Sequence, residues 1–106
     1  MKFIIEYGCD ICTEHLAVEA NCLESALTYA EAEAWRLRES YEGLHGVLDF
    51  TEFCEENNYD TEDETAWEEY VDMIRYELHY YAEDFDELNE DHLSILNDCG
   101  GEFFPV

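Results

Sequence analysis

Residues 55–91 carry sixteen aspartates and glutamates against one cation, Arg75, a net charge of −15 in 37 positions. Few folds can bury such a segment, because an ionised carboxylate taken out of water without a partner costs several kcal/mol or more. Its apolar residues must therefore gather on one side and its acids on the other. The bias extends to the whole chain, with 29 acids against four Lys and Arg and a net charge of −25 in 106 residues. A hydrophobic content of 47% and an aromatic content of 15% are too high for a disordered acidic tail. The length fits one domain, 1–106. Area scaling gives about 6200 Å² of folded surface, enough to enclose a modest core.

Alternation sets the N-terminal expectation. Phe3, Ile5 and Tyr7 alternate with Ile4 and Glu6, Gly8 interrupts, and Leu16, Val18 and Ala20 alternate with Ala17 and Glu19. The pattern predicts a β-hairpin with a longish connection over 8–14. Asn21 with Glu24 resembles a capping box. Leu23, Leu27, Ala30, Ala34, Leu37 and Tyr41 then recur at steps of four and three, which predicts a helix to about Glu42, stopped by Gly43 and Gly46. Trp35 points away from that stripe, either under a C-terminal strand or toward a partner. Arg36 and Arg38 are placed to pair with Glu33 and Glu42.

A short helix is expected from Asp49 to about Glu56, burying Phe50 and Phe53. Thr61 and Glu64 make the clearest capping box of the chain, and a long helix over 62–86 follows. Trp67, Tyr70, Val71, Ile74, Leu78, Tyr81 and Phe85 would line its buried side. A last short helix is expected over 91–97. Residues 102–106 would add an edge strand, because Pro105 is tolerated only at an edge or end. The fold class is α+β: a small antiparallel sheet, made of the hairpin and the C-terminal strand, on two main helices plus short ones.

The outward side of the 62–86 helix would then hold Glu62, Glu68, Glu69, Asp72, Glu83, Asp86 and Glu87, with Asp84 on its flank and Glu55 and Glu56 approaching from the preceding helix. Tyr76 and Tyr80 lie between the two acid clusters, where exposed tyrosine rings suit a protein interface. Carboxylates one helical turn apart approximate one edge of the phosphate array of duplex DNA, which presents a charge every ~1.7 Å of axis. So acidic a chain repels nucleic acid and anionic membrane and attracts a basic protein surface.

In size, charge and aromatic content the chain resembles the acidic DNA-mimic inhibitors of phages and mobile elements, the anti-restriction and anti-CRISPR class. The resemblance covers most of the chain and rests on composition, so no residue role transfers with it. It implies a small stoichiometric inhibitor, not an enzyme, that fills the DNA-binding cleft of a bacterial defence nuclease, a CRISPR effector first. Its partner would be a basic DNA-binding protein or nuclease complex in the host cytoplasm, with the inhibitor a monomer or homodimer. An immunity protein capping a basic toxin nuclease shares this charge logic.

Other chemistry is sparse. Cys9 and Cys12 form a C-x₂-C half-site with His15 close behind, so a structural zinc is conceivable if Cys22, Cys54 or Cys99 supplies a fourth ligand. A zinc-stabilised adaptor is therefore a further alternative; otherwise no cofactor is called for. With five cysteines and no signal-peptide layout, reduced thiols are expected. An EF-hand beginning at Asp60 fails, because Thr65 and Val71 stand where glycine and glutamate are required. No nucleophile elbow, phosphate-binding loop or zincin motif is present.

Overall fold

A computed structural model describes residues 1–106. The chain opens with β1 (Lys2–Cys9) and β2 (Cys12–Glu19), joined by a two-residue turn that brings Cys9 opposite Cys12. The turn is tighter than alternation suggested, and Gly8 lies inside β1 rather than ending it. A Cβ at Gly8 would stand 2.2 Å from the carbonyl oxygen of Cys12, so only glycine permits this approach. Helix α1 (Leu23–Ser40) follows, then α2 (Phe50–Asn57), α3 (Glu64–Glu77), β3 (His79–Asp84), α4 (Glu90–Asp98) and β4 (Phe104–Pro105). The fold is α+β, with a small sheet packed against helices.

The sheet order is β3-β1-β2-β4. β1 pairs antiparallel with β2 and β3, whereas β2 and β4 run parallel. The sheet is therefore mixed, not antiparallel. β4 does join the hairpin at its edge, as the sequence suggested, over Val18 and Glu19.

The main departure is the expected helix over 62–86. It starts at Glu64 and stops at Glu77; residues 79–84 are β3. Its cap is Asp63, whose carboxylate accepts from the Thr65 N–H, and the Thr61–Glu64 box does not form. The cause of the stop is tertiary. β1 buries Phe3, Ile4 and Ile5 almost completely and needs a strand on each side, which β3 supplies with β-favouring aromatics at Tyr80 and Tyr81.

On α1 the buried row is Ala26, Ala30, Ala34 and Arg38, displaced from the expected stripe, and Leu23 is exposed. Three alanines one turn apart let the helix lie close on the sheet. The Asn21 box is absent too: Cys22 occupies the cap position and makes no side-chain bond to the helix amides. The short helix α2 starts as expected, with Asp49 accepting from Glu52 N–H at 2.8 Å. Asn58 in the left-handed region (φ 59°) ends it.

Two cores result. One gathers Phe3, Ile5, Val18, Ala20, Ala26 and Ala30 between the sheet and α1. The other gathers Phe53, Cys54, Ala66, Tyr70 and Ile74 between α2 and α3, with Trp35 of α1 packed on it rather than under the C-terminal strand. The molecule measures 52 × 26 × 17 Å with a radius of gyration of 16.6 Å. A compact chain of this length has about 13 Å. The accessible surface of 6849 Å² likewise exceeds the roughly 6200 Å² of the scaling law. Charge and elongation belong together, because a long body separates like charges.

Candidate protein-binding face

The twelve residues expected on one helical face divide into two groups. Glu55 and Glu56 end α2, Glu62 lies in the turn before α3, and Glu68, Glu69, Asp72 and Tyr76 lie on α3. All seven are exposed, Tyr76 most of all at 92%. Tyr80, Glu83 and Asp84 sit on β3, and Asp86 and Glu87 in the turn after it. They are exposed too, but Glu83 and Asp84 are strand neighbours and point to opposite faces of the sheet. No single ladder of carboxylates runs from 62 to 87.

Of the sixteen acids in 55–91, only Glu77 is withdrawn from solvent. It is held by Arg38, whose guanidinium is fully buried and donates to Glu77 Oε2 at 2.8 Å, Glu42 Oε1 at 2.9 Å, Tyr70 Oη at 3.1 Å and the Leu48 carbonyl at 2.8 Å. Burial works against that charge, but the bonds to Glu77 and Tyr70 outweigh it and raise its pKa. This clip ties α1, α3 and the 42–48 segment together and sets where α3 points. The expected Arg38–Glu42 pair is present, and so is Arg36–Glu33 at 2.8 Å. Arg75 lies 3.4 Å from Asp72, and the Lys2 ammonium stands over the Phe103 ring. All four cations are thus engaged away from Glu55, Glu56, Glu62, Glu68 and Glu69.

Around β3 the acids are built into local bonds. The Asp86 N–H donates to His92 Nδ1 at 2.9 Å, so the ring hydrogen sits on Nε2 and is donated to Glu83 Oε1 at 2.7 Å. Asp86 Oδ1 accepts from Leu88 N–H. On α3, Glu69 accepts from the hydroxyl of Tyr59, which lies between α2 and α3. These contacts fix the geometry of the carboxylates they hold.

The helical stripe predicts Trp67 in the core. It is 53% exposed instead, edge-on to Phe50 at 5.1 Å. With Phe50 it floors an open recess of about 410 Å³ ringed by Glu62, Asp63, Glu64 and Glu68. Asp63 and Glu64 fall outside the face that the helical projection marks as outward, because that projection turns Trp67 inward. A legible signal exists: Asp63 and Glu64 stand at i−4 and i−3 of the tryptophan, the spacings that share one helix face. An indole face among carboxylates is suited to a guanidinium, which stacks on the ring while its N–H fork pairs with oxygens.

The hairpin pairs Cys9 with Cys12 but does not bring His15 to them. Cross-strand register puts Cys9 and Cys12 on the α1 side of the hairpin, and His15, opposite Glu6, on the other side. His15 Nε2 contacts Glu6 Oε1 at 3.0 Å. No group of three or more His, Cys, Asp or Glu is arranged to hold a metal ion. All five cysteines are free thiols. No helix is long and apolar enough to cross a membrane. No protein family, curated protein or solved structure matches the chain.

Proposed function

We propose that this protein is a stoichiometric inhibitor that offers its α2–α3 end to the DNA-binding cleft of a basic nuclease, with a bacterial defence complex of the CRISPR type as the first target class, acting in the host cytoplasm. The observation that carries the reading is the recess at Trp67. Acids alone on a helix describe a solvated face. A half-exposed indole ringed by Glu62, Asp63, Glu64 and Glu68 has the chemistry of an arginine receptor. Such clefts contact phosphates and guanine edges through arginines.

Shape supports the same reading. The thinnest dimension is 17 Å, and the 52 Å length corresponds to about 15 base pairs of duplex at 3.4 Å per step. Uncompensated carboxylates at Glu55, Glu56, Glu62, Glu68 and Glu69 supply long-range attraction, so association is fast and salt-sensitive. Tyr76 adds an exposed ring at the rim. The acids near β3 stand on two faces and serve as a diffuse field rather than as contacts.

The test is capture on the immobilised chain from bacterial lysate at low and high salt, followed by competition of the captured protein against duplex DNA. Capture at low salt, release by DNA and loss of DNA cleavage are the expected results. Two variants then decide the surface. Glu68→Lys with Glu69→Lys should reduce affinity by at least about 100-fold, and Trp67→Ala by roughly tenfold to 100-fold, in line with the few kcal/mol of an interface hot spot. A captured nuclease that still binds DNA with the chain attached, or that ignores both variants, refutes the reading.

A further inference from the structure

We propose that the open edge of β2 takes up an extended basic peptide segment as an additional strand, in line with β4. Pairing parity is the first ground. With Cys9 opposite Cys12 across a two-residue turn, hydrogen-bonded and non-bonded pairs alternate down the hairpin. Thr13, His15, Ala17 and Glu19 then turn their backbone N–H and C=O groups away from β1. The bond from Val106 N–H to the Glu19 carbonyl at 2.9 Å obeys that parity. β4 pairs only with Val18 and Glu19, so the backbone groups of Thr13 and His15 face no strand.

A cavity is the second ground. About 590 Å³ of space straddles this edge, bounded by Leu16 on one sheet face and His15 on the other, and by Ile95, Phe103 and Phe104 at its far wall. It occupies the strand position that two-residue β4 leaves vacant. Five residues of β2, 12–16, present about 17 Å of ladder at 3.3 Å each, room for a segment of similar length.

Charge chooses the occupant. Glu14, Asp98 and Glu102 line the cavity, and no lysine or arginine does. A second copy of this chain would set −25 against −25 and Glu14 near its own counterpart, which disfavours self-pairing. Leu16 and Glu14 share one face of the edge, and Ile95 and Asp98 line the other side. The fitting segment therefore carries adjacent arginines next to adjacent apolar residues, so that each face receives one of both kinds. This rests on the reading above only in taking the partner as basic.

The test uses a capped Val-Val-Arg-Arg-Val-Val peptide and the full chain, followed by amide resonances. The Thr13 and His15 amides should shift and exchange at least about tenfold more slowly at saturation, and N-methylation of alternate peptide amides should weaken binding about tenfold, the worth of one or two backbone bonds. His15→Pro should lose the peptide, because it deletes an outward N–H that β1 does not use, whereas His15→Ala should keep it. Should His15→Pro unfold, the exchange data on the unaltered chain still decide. Equal binding of the methylated peptide, or shifts confined to α3, overturns the proposal. A free chain that sediments as a dimer until His15→Pro is made overturns it in favour of self-pairing. Glu68→Lys with Glu69→Lys leaves peptide uptake intact, so failure here and failure at the α3 recess are distinguishable.

Discussion

Replacing Arg38 by Met tests whether the orientation of the acidic end depends on one buried cation. The methionine keeps much of the aliphatic stem, so packing against α3 is largely preserved. What disappears is a guanidinium with no solvent exposure and four hydrogen bonds, two to carboxylates, one to Tyr70 and one to a backbone carbonyl. Removing one side of a buried ion pair costs about 3–5 kcal/mol when the partner stays dry. Glu42 and Glu77 retain 32% and 22% exposure and rehydrate in part, which moves the expectation to the lower bound, about 3 kcal/mol. At about 4–8 °C per kcal/mol for a domain near this size, the melting temperature should fall by roughly 15 °C. Urea titration at pH 7, followed by far-UV circular dichroism, measures the loss. Adding Glu42→Gln and Glu77→Gln to Arg38→Met should recover half or more, because the stranded charges are then gone. A loss below about 1 kcal/mol, or no recovery in the triple variant, would refute the argument that this clip sets the α1–α3 geometry.

Three more expectations are open to direct measurement. With 29 acids against four Lys and Arg, screening should stabilise the fold, so the melting temperature should rise by several degrees between about 0.1 and 1 M KCl as the Debye length shrinks from ~10 to ~3 Å; a flat profile contradicts this. Burial, with the Glu42 bond adding to it and Arg38 opposing, pushes the Tyr70 hydroxyl from 10.0 up to about 12. Its folded pKa exceeds its unfolded one, so this contribution is complete below pH 10 and is lost as pH rises through about 12. Tyr70→Phe should flatten stability over that window, and an unchanged slope would count against the assignment. Among the thiols, Cys22 is exposed and its pKa is lowered by hydrogen bonding to Ser25, whereas Cys54 is buried and raised, so a thiol reagent should label Cys22 first, as peptide mapping would show.

The hairpin, α1, α2 and α4 were legible because each has local punctuation: alternating apolar residues, the helical run ending before Gly43, the Asp49 cap and the segment before Gly100. β3 was not legible, and the reason is specific. Tyr81 and Phe85 fall on the helical stripe of Trp67, Tyr70 and Ile74, and no glycine or proline separates 77 from 79. What decides the conformation there is the demand of β1 for a second neighbour. The consecutive run Phe3-Ile4-Ile5 carried that information, since a strand buried on both faces sits inside a sheet. The candidate site fared similarly. Exposure of Glu55, Glu56, Glu62, Glu68, Glu69, Asp72 and Tyr76 was foreseeable from charge. The bared indole of Trp67 was not, because it depends on where α2 stops covering α3.

The pair of separate cores has a thermodynamic corollary. Six buried residues hold the sheet half and five hold the helical half, and α1 is the rod through both. Such an arrangement need not melt as one unit. The helical half can loosen while the sheet persists, so its fluctuations are governed by its own small reserve of buried area. Gripping that half from outside would quench those fluctuations first. A ligand held only at the acidic end would therefore harden the molecule from that end inward, with the sheet half the last to respond.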